Sequence, residues 1–186
     1  MQDNDGDSLI DSYKDARNLV RQAVSREVKA LESVLTFAEP GGRNEQYVLS
    51  RAVDVRSREK SLLAEVDRLY TLISGEKRGP EIRPTDIEKT AAAKVPANIE
   101  SLADYFDKRG WSVRDTKTMH SVMAKECFNY VDGRNSYLDI YNAVRAEILS
   151  AGRWYYGDIR LKDVCDMLDE AVKNGVLVLK PAPPQK

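Results

Sequence analysis

Along residues 48–73 the apolar positions return after four and then three residues: Val48, Ala52, Val55, Glu59, Leu62, Val66, Leu69 and Ile73, with Glu59 the polar exception. That alternation places a narrow seam on one side of an α-helix. The preceding stretch is less regular. Leu9, Tyr13, Ala16, Val20, Ala23, Ala30, Val34 and Phe37 form one stripe, and Val24, Val28, Leu31 and Leu35 lie beside it. Neither 8–38 nor 44–74 contains glycine or proline, whereas Glu39-Pro40-Gly41-Gly42-Arg43 between them gathers the residues that stop helices and reverse chains. The pattern predicts a long antiparallel helical hairpin, coiled-coil-like, over residues 1–74. Each leg would be on the order of 45 Å long. Packing one leg on the other hides one stripe from each and leaves apolar positions that need another helix or another chain.

After Gly75, which suits a left-handed helix cap, two prolines and few apolar groups predict a linker over 75–96. Within it Thr85-Asp86-Ile87-Glu88 reads as a capping box opening a short helical piece that runs to Lys94, with Pro96 beyond it. Residues 97–180 read as a compact helical module with short strands. Its expected helices run from Asn98 to Lys108 or Arg109, from Thr116 or Thr118 through Met119, Val122, Met123, Cys127 and Tyr130 to Gly133, from Ser136 with Asp139 to Gly152, and from Leu161 to Asn174. Val176-Leu177-Val178-Leu179 predicts a strand buried on both faces. Its expected neighbours are Trp111-Ser112-Val113 and Trp154-Tyr155-Tyr156. Residues 181–186, rich in proline, read as an extended tail.

The whole is a mainly α fold with a minimal β-sheet. The order of helix, glycine and apolar strand in 97–180 resembles the winged-helix group. This resemblance implies either nucleic-acid binding or protein binding, and it departs from the group in lacking a second wing strand after the last helix.

Composition narrows the function classes. The 186 residues carry 29 Lys+Arg against 30 Asp+Glu, and no region is a basic domain. The acidic start lacks the features of a secretory signal, and no run approaches the ~18 apolar residues of a membrane span, so a cytoplasmic or otherwise intracellular protein without membrane contact is expected. Cys127 and Cys165 fit neither a disulfide framework nor a zinc site. Asp3, Asp5, Gly6, Asp7 and Asp11 resemble the Asp-rich loops of calcium-binding repeats such as thrombospondin type 3 modules, but Ser8 and Lys14 stand where that pattern calls for a glycine and a bidentate glutamate. An acidic helix start is the simpler use of these charges, and no metal or cofactor is expected. His120 is the sole histidine. Cys127, two helical turns away, lies about 10 Å off by helix rise, too far for a catalytic dyad.

The expected function is therefore a non-catalytic assembly or adaptor subunit, contacting a protein partner or its own copies through the long helices. Val55, Leu62, Val66, Leu69 and Ile73 are the interface candidates, with Trp154 and Tyr155 as contacts elsewhere. The alternative is a DNA- or RNA-binding regulator that pairs through the hairpin and uses Arg51, Arg56, Arg58, Lys60, Arg153 and Tyr155 against phosphates and bases.

Overall fold

A computed structural model of the chain describes residues 9–98, 119–152 and 157–180. The chain divides into two compact units between Ile82 and Arg83, each with its own packing.

The first unit is the helical hairpin. Helix α1 spans Leu9–Ser33 and tightens into a 3-10 turn over Val34–Phe37, and α2 spans Arg43–Ser74. The reversal uses Gly41 at φ 74°, in the left-handed region that glycine enters without a Cβ clash. Glu45 reaches back to accept the Gly41 amide. Gly75, at the same φ, closes α2 by donating its amide to the Thr71 carbonyl. Between the legs Val24, Val28 and Ala52 form a small buried cluster flanked by Leu31 and Val55.

The seam of α2 does not stay on that contact. A seven-residue repeat slips by about 20° per heptad around a straight helix. Ala52 is 1% exposed, Val66 is half-buried and Ile73 is 70% exposed, while Val55 is half-buried and Leu62 and Leu69 are 45% and 46% exposed. Both rows of the seam walk off α1 toward the open end of the hairpin.

The second unit begins at α3, Asp86–Ala92, whose Thr85–Glu88 capping box is formed as the sequence predicts. Strand β1, Val95–Asn98, follows, and the described part of the unit continues with α4 (Ser121–Asn129), α5 (Tyr137–Ala151), α6 (Leu161–Lys173) and β2 (Leu177–Lys180). A second capping box, Ser136 with Asp139, opens α5. Ala91, Met123, Phe128, Tyr137, Ile140, Val144, Ile148, Val164, Leu168 and Leu177 belong to one core shared by these elements.

The structure adds a strand that the sequence did not announce and corrects one expectation. The partner of β2 is β1, antiparallel, with Val95 opposite Lys180 and Asn98 opposite Leu177; this stretch reads in sequence as the end of a linker and a helix cap. Proline cannot donate to a ladder, and four residues around one give almost no period-two signal, yet Pro96 is tolerated in so short a pair. The run Val176–Leu179 is also not buried on both faces. Val176 and Leu177 enter the core, while Val178 and Leu179 are exposed, because the described sheet has two strands and its outer residues lie beyond the core. The expected pieces at 99–109, 111–113 and 154–156, the helix starts at Thr116 and Thr118, and the 181–186 tail lie outside the described residues.

Lys94 joins several elements at once. Its carbonyl accepts the Tyr137 amide at the start of α5 at 2.9 Å. Its ammonium meets both Asp169 oxygens of α6 at 2.7 Å and stands 5.4 Å from the Tyr137 ring centroid. The Tyr137 hydroxyl is buried and makes no hydrogen bond among the described residues. Burial, and after it the nearby Asp169 carboxylate, push its pKa upward. A buried, unpartnered hydroxyl costs about 1–3 kcal/mol. Tyr137→Phe is therefore expected to leave stability unchanged or raise it by ~1 kcal/mol in urea unfolding, and a loss of more than that would show that the hydroxyl is satisfied in solution.

Candidate protein interface

The two long sides of the hairpin differ in chemistry. On one side, charged residues of α1 and α2 face each other across a shallow groove of about 360 Å³ lined by Arg21, Val28, Lys29, Glu32, Arg56 and Glu59 among others. Glu32 pairs with Arg56, and Arg21 lies 3.9 Å from Glu59. Toward the open end, Tyr13 donates to Asp67 at 2.7 Å, and Arg17 donates to the Tyr13 hydroxyl at 3.1 Å and pairs with Asp67. The Tyr13 and Tyr70 rings stack at 4.9 Å with a 59° tilt. Where the seam has left α1, aromatic and charged groups take over the contact.

The opposite side follows from helical geometry. At about 100° per residue, Val55, Leu62, Val66, Leu69 and Ile73 fall within roughly 60° of one another on α2, about a quarter-turn or more from Arg56 and on the side away from the groove. On α1 the positions away from the groove are Leu9, Ala16, Ala23 and Ala30, seven residues apart, with Val34 near them. Leu9, Val34, Leu62, Leu69 and Ile73 are exposed large apolar residues. Leu72, beside Leu69, is 66% exposed; its place outside the four-three seam hides it from a periodicity search. The candidate interface residues thus share one side of α2, and the same side of α1 carries these alanines together with the exposed Glu27.

The nucleic-acid candidates on α2 are not brought together. Arg51 and Arg58 lie two turns apart near the edge of the apolar side, while Arg56 and Lys60 lie toward the groove, more than a third of a turn around the helix. Arg56 is engaged by Glu32 and Arg51 by Asp54; Arg58 and Lys60 make no ion pair among the described residues. Arg153, Trp154 and Tyr155 lie outside the described residues, as do Asp3, Asp5 and Asp7. Among the described residues no His, Cys, Asp and Glu group has metal-binding geometry.

In the second unit His120 caps α4, its Nδ1 accepting the Val122 amide at 3.2 Å. Nothing in the sequence around it signals this role, since histidine is not among the preferred caps. Cys127 is fully buried, and desolvation pushes its thiol up to about 12, which holds it protonated at neutral pH. The Cys165 thiol is half-buried and likewise raised, first by burial and then by Asp169. Arg145, buried in α5, pairs with Asp158 and donates to the Ile159 carbonyl at 3.3 Å. Its guanidinium anchors the approach to α6.

Comparison with protein-family models, curated proteins and solved structures finds no match to this chain.

The Tyr13–Arg17–Asp67 cluster sets a pH dependence. The Tyr13 hydrogen bond, followed by Arg17, holds the Asp67 carboxyl below its ordinary 3.8. A depressed folded pKa stabilises the native state above the unfolded pKa, and that contribution disappears as pH falls through the folded value. Asp67→Asn is expected to destabilise the chain at pH 7, with the difference from wild type shrinking as the pH falls below the ordinary carboxylate range in acid-unfolding curves followed by helix signal. A difference that persists unchanged into acid would rule out ionised Asp67 as its source.

Proposed function

We propose that this protein is a non-catalytic assembly or adaptor subunit that engages another polypeptide through the apolar side of its hairpin. One observation carries the reading: on the groove side Arg56 pairs with Glu32 and Arg21 approaches Glu59, while the other side leaves Leu62, Leu69, Leu72 and Ile73 in water. An uncovered row of this kind favours association, by about 25 cal/mol for each Å² removed from water before ordering costs. Among the described residues no helix is long and apolar enough to cross a membrane. The nucleic-acid alternative has less free cation to use, because Arg51 and Arg56 already face carboxylates.

The test is the hydrodynamic size of the full chain in cell extract. The wild-type chain is expected to migrate well above its 21.0 kDa mass, to keep that size in high salt, and to lose it in Leu62→Glu/Leu69→Glu. An assembly that dissolves between low and moderate salt and ignores the double substitution would replace this reading with phosphate binding.

A further inference from the structure

We propose that residues 75–80 form a releasable strap, latched onto the open end of the hairpin where the backbone of Gly79 seats on the Tyr13 hydroxyl, and that this latch sets the length of the tether between the two compact units.

Composition makes the stretch after α2 a plain linker, yet its burial is uneven. Glu76, Lys77 and Arg78 are exposed, Gly79 and Pro80 are half-buried, and Glu81 and Ile82 are exposed again. The half-buried pair marks where the strap touches the hairpin. A Cβ added at Gly79 would stand 3.0 Å from the Tyr13 Oη, 3.6 Å from its Cζ and 3.8 Å from the Asp67 Cβ. The first of these is closer than a carbon comfortably approaches a neighbouring heavy atom. Gly79 is not among the glycines at positive φ, so close contact rather than backbone conformation calls for glycine here. The segment up to Ile82 accordingly belongs to the same compact unit as the hairpin.

The seat is rigid. Tyr13 is buried, its hydroxyl donates to Asp67 at 2.7 Å and accepts from Arg17 at 3.1 Å, and its ring packs on Tyr70 with centroids 4.9 Å apart. An oxygen held in this way does not swing aside to admit a methyl group, so the strap lies down only because residue 79 has no side chain.

The latch is also weak enough to open. Each ordered residue of the strap gives up backbone entropy, and a glycine with a half-buried proline offers little apolar area to offset it. Segments of this kind open well below the global unfolding free energy. Release frees residues 75–80, about 20 Å of contour at ~3.4 Å per residue. Tether length governs how far two linked units range apart and how often they meet.

Trypsin cleavage of the native full chain after Lys77 and Arg78 tests the proposal, because the protease must draw Gly79 and Pro80 off the seat to reach these bonds. Each rate is taken relative to a peptide of residues 74–84 carrying the same residue 79, with products identified by mass. Wild type is expected to be cut at least about tenfold more slowly than its peptide, and Gly79→Ala to lose most of that protection, with the far-ultraviolet helix signal unchanged. Tyr13→Phe removes the Oη and leaves the Cζ, at 3.6 Å, as the nearest atom to an alanine Cβ. It is expected to stay protected alone and to restore protection to Gly79→Ala. Solution scattering is expected to give Gly79→Ala a larger radius of gyration than wild type. A wild-type chain cut as fast as its peptide overturns the docking, and protection that survives Gly79→Ala overturns Gly79 as the latch. A loss that Tyr13→Phe does not restore overturns the Tyr13 hydroxyl as its seat, and an unchanged radius overturns the effect on the tether.

Discussion

The mismatch between a seven-residue repeat and a helix of 3.6 residues per turn governs the first unit. At its start α2 presents Ala52 squarely to Val24 and Val28. Each further heptad turns the seam by about 20°, until Leu62, Leu69 and Ile73 point past α1 into solvent. The legs are joined at the open end by Tyr13 and Arg17 of α1 with Asp67 and Tyr70 of α2, through hydrogen bonds and ring contact. The same slip therefore accounts for the polar contact at one end of the hairpin and the uncovered leucines near it.

The second unit is held by a different device. Its helices share an ordinary apolar core, but the segment that enters it, α3 with β1, fixes their arrangement through Lys94. The carbonyl of that residue satisfies an amide at the start of α5, and its charge is balanced by Asp169 on α6. The capping boxes at Thr85 and Ser136 then set where the two flanking helices begin.

Local signals were the legible ones. The hairpin, its glycine-rich reversal and both capping boxes follow from residues within four or five positions of one another, and these agree with the structure. The β1–β2 pair joins residues about 80 positions apart through a proline-containing strand, and no short-range pattern marks such a partner. For the candidate interface, the repeat reveals that Val55, Leu62, Val66, Leu69 and Ile73 share a side. It does not reveal that Ala52 and Ile73, members of the same seam, end on opposite sides of the burial boundary, because that depends on how tightly two helices coil. Leu72 escaped for the converse reason: it is exposed by position, not by period. His120 as a helix cap escaped because its sequence neighbourhood offers no capping signal.

The placement of β1 has a practical corollary for dissecting this polypeptide. A fragment begun at residue 97, where composition suggests a module starts, would discard half of β1 and the cation opposite Asp169. It would leave Leu179 and Lys180 without their β1 partners, an end open to adventitious strand pairing. The natural seam for excision lies instead before Thr85, where the chain crosses from one compact body to the next without cutting either ladder or cap.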